Sequence, residues 1–156
     1  HKLEVNPSKE VLYTPDDAID FLGFKCSGSS VDISSVGVQK MKAKIRRKTK
    51  ALLRWKQRKN IPNERAMASL IKSFNRKFFE NRDGGTLTWS RWYFPTINSV
   101  DGLKEIDHYL QQNIRYLASE HHNKSAYKVK YEDMKRLGYK NLVHEYYAQK
   151  TQASDV

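Results

Sequence analysis

The stretch Val38-Gln39-Lys40-Met41-Lys42-Ala43-Lys44-Ile45-Arg46-Arg47-Lys48-Thr49-Lys50-Ala51-Leu52-Leu53-Arg54-Trp55-Lys56-Gln57-Arg58-Lys59 decides how this chain is read. It contains no Gly or Pro, and its apolar residues Val38, Met41, Ile45, Leu52, Leu53 and Trp55 fall at spacings of three, four and seven with their neighbours. That period predicts one long amphipathic helix. Its other faces are almost entirely Lys and Arg, and like-charge pairs one turn apart, such as Lys40/Lys44, Lys44/Lys48 and Lys50/Arg54, repel each other. Residues 38–65 hold twelve Lys and Arg against a single Glu64, whereas the 156-residue chain as a whole carries 29 against 17, a net charge of +12. Nearly all of the excess therefore lies in this segment, and a local excess of one sign points to a polyanionic partner, nucleic acid, more than to a solvated face without a ligand.

Upstream of the helix, residues 1–37 are mildly acidic. Ile19-Asp20-Phe21-Leu22-Gly23-Phe24-Lys25, then Cys26-Ser27-Gly28-Ser29-Ser30, then Val31-Asp32-Ile33 reads as strand, turn and strand, a small antiparallel hairpin. Downstream, Asn60-Ile61-Pro62-Asn63 breaks the pattern, with Asn63 as the expected N-cap of a second helix. The stripe of that helix is Ala66, Met67, Leu70, Ile71, Phe74, Phe78 and Phe79, ending at Asn81-Arg82-Asp83-Gly84-Gly85. The aromatic segment 86–99 has no helical period and reads as an ordered loop plugging a core through Trp89, Trp92, Tyr93 and Phe94. A third helix is expected from Ser99 or Asp101 to His121, with Leu103, Ile106, Leu110, Ile114 and Leu117 inward. Short helices over 131–137 and 142–147 follow, with fraying from Lys150. The fold class is thus mainly α: a three-helix bundle (38–121), preceded by a small β hairpin (1–37) and followed by short C-terminal helices (122–156).

Several chemistries are disfavoured by the residues themselves. With Cys26 as the single cysteine, an internal disulfide and a cysteine-based zinc site are excluded. His108, His121, His122 and His144 lack carboxylate or cysteine partners at ligand spacing, so no metal site is expected. No run approaches the roughly 20 apolar residues that span a bilayer, and the expectation is a cytoplasmic protein with no membrane partner.

The string Phe21-Leu22-Gly23-Phe24, followed directly by a basic helix and two further amphipathic helices, resembles the end of a reverse transcriptase of the group II intron-like lineage, which includes bacterial retroelement and phage-defence relatives. In that family a Phe-Leu-Gly-Phe string marks the primer-grip hairpin that closes the palm, and a thumb of three helices follows. Asn6-Pro7-Ser8-Lys9 resembles the family's preceding Asn-x-x-Lys, whose lysine lies near the incoming nucleotide; the resemblance thereby implies a nucleotide-proximal role for Lys9. It implies primer contact by Phe21, Leu22, Gly23 and Phe24, and contact with a template–primer duplex by Lys40, Lys44, Arg47, Lys48, Lys50, Arg54 and Arg58. The partners it implies are an RNA template with a DNA primer or cDNA, and a fingers–palm segment of the polymerase.

The departure from the family pattern is equally informative. Polymerase chemistry needs carboxylates that hold two magnesium ions, and neither the family's aspartate motif nor its Tyr-x-Asp-Asp is in this sequence. Tyr13-Thr14-Pro15-Asp16-Asp17 has one residue too many and a proline. Mg2+ is therefore expected in a catalytic palm outside this chain, the chain reads as the C-terminal part of a longer enzyme, and by itself it is expected to be inactive. Two alternatives stand beside this reading: a freestanding basic RNA- or DNA-binding helical module without catalytic activity, and a metal-dependent nuclease using Asp16, Asp17 and Asp20.

Overall fold

Between Ile19 and Ile33 the chain forms a three-stranded antiparallel meander, β1 (Ile19–Phe21), β2 (Phe24–Ser27) and β3 (Ser30–Ile33), in the order β1-β2-β3. The computed structural model describes residues 19–80, 87–121 and 128–154. The meander corrects the expected strand over 19–25 and turn over 26–30. Phe21 pairs with Phe24, so Leu22-Gly23 is a two-residue hairpin loop, with φ of 52° and 88°. Positive φ at both positions gives the twist that matches the flanking strands, and this is why the apolar run folds back on itself instead of continuing. Gly23 is required there twice over, because a Cβ would also lie 3.0 Å from the Tyr93 hydroxyl. Phe24 and Ile33, opposite each other in the register, are both buried and dock the sheet onto the helices.

Helix α1 (Ser35–Lys59) begins just before the apolar pattern, where the Ser34 hydroxyl accepts from the Gly37 amide at 3.0 Å. Asn60 closes it in the left-handed conformation. In α2 (Asn63–Phe79) the N-cap is Pro62, with no side-chain cap bond; Asn63 is the first helical residue rather than the cap, because the Pro62 carbonyl already accepts from the Ala66 amide. The aromatic segment expected as a loop contains the short helix α3 (Trp89–Tyr93), capped by the Thr88 hydroxyl. Helix α4 (Asp101–Ser119) carries the expected buried stripe Leu103, Ile106, Leu110, Ile114 and Leu117. Together with Ile45 and Leu52 of α1 and with Leu70, Ile71, Phe74 and Phe78 of α2, this stripe fills one core.

Polar side chains at the seams, Asp32 partly buried and Asp107 buried, cap neighbouring elements across the chain. Asp32 of β3 accepts from the Gly102 amide at 3.1 Å and the Ser99 hydroxyl at 3.1 Å, supplying the α4 cap that Val100 lacks. Gly102 permits this approach, since a Cβ there would meet the Asp32 carboxylate at 2.9 Å. After α5 (Tyr131–Arg136), helix α6 (Leu142–Ser154) starts on Asp107 of α4, whose carboxylate accepts from the amides of Leu142 (2.9 Å) and Val143 (3.2 Å) and from the Tyr139 hydroxyl (2.9 Å). Burial pushes the Asp107 carboxyl above its ordinary range, against these hydrogen bonds and the charge of His144. Helix α6 runs past the expected fraying point at Lys150, and the Tyr146 hydroxyl ties it to the Ile97 carbonyl at 2.7 Å. The chain is thus mainly helical, with a small antiparallel sheet before the helices. Among the described residues no helix is long and apolar enough to cross a membrane.

Candidate nucleic-acid interface

The buried face of α1 is Val38, Met41, Ile45, Thr49, Leu52 and Lys56. Helical geometry then sets Lys40, Lys44, Arg47, Ala51, Arg54 and Arg58, spaced four, three, four, three and four apart, along one outward stripe. All of them are exposed. From Lys40 to Arg58 the stripe rises about 27 Å at 1.5 Å per residue, on the order of eight base-pair steps of a B-form duplex. Ala51 is its single uncharged position and its shortest side chain, which lowers the surface at mid-helix.

Beside this stripe a groove of about 340 Å3 lies between α1 and α2, lined by Lys44, Arg47, Lys48, Ala51, Ser73, Phe74 and Lys77. A second, more open concavity of about 600 Å3 continues from Ala51 to Arg54, Gln57 and Arg58. Lys44, Arg47, Lys48 and Lys77 make no ion pair among the described residues, whereas Arg76 on the same α2 helix pairs with Glu80 at 3.8 Å. Partial burial, then the charges of Lys44, Arg47 and Lys48, hold the Lys77 amine below its ordinary lysine value. Among the described residues the groove therefore gathers positive charge with no carboxylate paired to it.

The sequence-predicted residues divide accordingly. Lys44, Arg47 and Lys48 come together in the groove, Arg54 and Arg58 border the second concavity, and Lys40 extends the stripe toward the helix N-terminus. Lys50 is exposed but lines neither concavity, on the flank turned away from α2. Lys77 went unnoticed in the sequence because residues 66–100 look like ordinary surface by charge; only the packing of α2 against α1 sets it opposite the basic helix. Its position three residues after Phe74, on the edge of a buried stripe, was the available signal.

The Phe-Leu-Gly-Phe string separates by role. Phe21 pairs in β1, Leu22 is 66% exposed at the hairpin tip with positive φ, Gly23 completes the turn, and Phe24 is buried against Tyr93 with ring centroids 5.2 Å apart. A left-handed Leu at an exposed tip is a rare conformation. The tip stands at the N-terminal end of α1: the Ser34 amide donates to the Gly23 carbonyl at 2.9 Å, and the Tyr93 hydroxyl lies against both Gly23 and Gly37. Gly37, Lys44, Ala51 and Arg58 are spaced by sevens and so share one side of α1. Hairpin tip and basic groove consequently lie along the same side of the helix.

Trp89 is packed between Phe78 and Tyr93, with centroids 5.0 and 4.8 Å away, so it belongs to the core, while Trp92 is 44% exposed beside Phe24. Lys9, Asp16 and Asp17 lie outside the described residues. Among the described residues no group of three or more His, Cys, Asp or Glu is arranged to hold a metal ion. Comparison with protein-family models, with curated proteins and with solved structures finds no match to this chain.

Proposed function

We propose that this chain binds a template–primer duplex through the basic side of α1, as the primer-grip and thumb part of an RNA-directed DNA polymerase working in the cytoplasm. The observation that carries the binding part is the line of exposed cations Lys40, Lys44, Arg47, Lys48, Arg54 and Arg58, which make no ion pair among the described residues. The polymerase part rests on the resemblance of Phe21-Leu22-Gly23-Phe24 and on the succession of small sheet, basic helix and two further bundle helices. Placement of the hairpin tip at the N-terminal end of the basic side agrees with it, because a primer end and its duplex are continuous.

Phosphate contacts of this kind give affinity without reading sequence. An RNA–DNA hybrid presents a wide, shallow minor groove recognised by shape and backbone, which suits a helix laid along it. In this reading the catalytic aspartates and Mg2+ belong to a fingers–palm segment whose motifs the sequence does not carry. No chemical step is assigned to this chain.

The test is binding to a labelled RNA–DNA hybrid, to single-stranded RNA and to duplex DNA, each over a range of salt. The reading expects a salt-sensitive preference for the hybrid. Replacing Lys44, Arg47 and Lys48 together with Glu should weaken binding about a hundredfold or more and flatten the salt slope by about three, near 0.9 per lost phosphate contact. Tight binding to single-stranded RNA with none to the hybrid favours a freestanding binding module, and an unchanged slope in the triple variant removes α1 as the contact surface.

A further inference from the structure

The basic residues of α1 account for a strand lying along one helix, yet one basic groove among the described residues is shared by two helices. Lys44, Arg47 and Lys48 occupy one turn of α1; Ser73 and Lys77, one turn apart on α2, form the opposite wall, and Phe74 lies at the base. Four cations and a hydroxyl donor thus line a groove of about 340 Å3, where about 10–15 Å3 by the same kind of measure admits one water molecule. That is room for a phosphodiester group with part of its hydration shell.

We propose that this groove seats a backbone phosphate of the bound nucleic acid, so that one strand leaves α1 beside Ala51 and crosses onto α2 at Lys77. The inference rests on the nucleic-acid reading above and adds the strand's path and a contact on the second helix. Two observations favour a phosphate within a strand over a solitary anion. Cations continue beyond the groove in both directions, to Lys40 and to Arg54 and Arg58, at about one helical turn (5.4 Å) per step. Ala51, which lines both concavities, removes the side chain that would otherwise stand between them. The mutual repulsion of Lys77 with Lys44, Arg47 and Lys48 is an unfavourable arrangement in the free protein that a bound phosphate reverses.

Lys77→Met tests the crossing, since it keeps most of the aliphatic stem and removes only the charge. The expected result is a salt slope smaller by about one, a uniform several-fold loss of affinity across sequences, and thermal stability unchanged or raised. A slope equal to wild type overturns the crossing; when the Lys44/Arg47/Lys48 triple variant still loses binding in the same assay, the nucleic-acid reading stands without it. Failure of the wild-type chain to bind any nucleic acid overturns both. As an independent readout, amine-selective labelling at mildly alkaline pH should modify Lys77 faster than the exposed Lys72 of the same helix in the free protein, and hybrid should protect Lys77 selectively. Equal labelling with and without hybrid overturns the proposal. So does equal protection by inorganic phosphate or polyglutamate at matched ionic strength, which would mark a general anion site.

Discussion

The two flanks of α1 carry the same kind of side chain and put it to opposite uses. On the flank against α4, Lys42 pairs with Glu105 at 2.6 Å and lies 5.5 Å from the Tyr109 ring centre, and the buried Lys56 amine donates to the Leu117 and Ala118 carbonyls at 2.9 and 3.3 Å, with Glu120 at 3.8 Å. Lys42 thereby ties α1 to the first turns of α4, and Lys56 closes the C-terminal end of α4, where carbonyls without intrahelical partners and the helix dipole favour a cation. On the flank against α2, Lys44, Arg47 and Lys48 face another lysine instead of a carboxylate. Cations used for the fold are given partners by the chain itself. Those without an ion pair among the described residues, held together against repulsion, are the ones whose partner is expected to come from outside.

Substitutions on the α4 flank should change stability and leave binding alone. Lys56→Met should be the most damaging change on the α4 flank, lowering stability by about 1–3 kcal/mol because two carbonyls at the end of α4 lose their donor. Chemical denaturation would measure the loss, while the salt slope of nucleic-acid binding should stay at its wild-type value. A reduced slope in this variant would erase the distinction between the flanks. Lys42→Ala removes a partly exposed ion pair and should cost no more than about 1 kcal/mol, again with binding unchanged; a pronounced binding defect would extend the interface around the helix.

The smallest effect is one of pH. The Lys77 amine is held below its ordinary value in the folded state, so between that lowered value and the ordinary lysine range the unfolded chain binds more protons than the folded one. Stability should therefore rise with pH through this window and be lost as pH falls through the folded value. Because Lys77 is exposed, the slope should be small and should fade in high salt. Thermal unfolding of wild type and Lys77→Met across alkaline pH would check it: the slope should be flatter in the variant, and identical curves would show that the groove exerts no repulsion on Lys77.

The bundle was legible because its signal is periodic. Residues such as Leu70, Phe74, Ile106 and Ile114 recur at the helical period, and the period alone states which side of each helix is buried. The hairpin was less legible: an apolar run from Ile19 to Lys25 looks continuous, and nothing in the letters Leu22-Gly23 states that a leucine will adopt positive φ. Buried Lys56, Asp107 and Thr49 ran against the apolar pattern, since each is satisfied by a partner far along the chain or, for Thr49, by the Ile45 carbonyl.

For the candidate site, the concentration of positive charge on one helix and the set of residues spaced to share its outer side follow from the residues alone, because charge and helical period are local properties. Which of those cations have partners was decided only by tertiary structure. The orientation of α4 brings Glu105 and a helix C-terminus to one flank, and the orientation of α2 brings Lys77 to the other. Electrostatic interactions act through space over a few ångströms, so whether a lysine is paired, buried or left facing its own kind depends on neighbours tens of residues away.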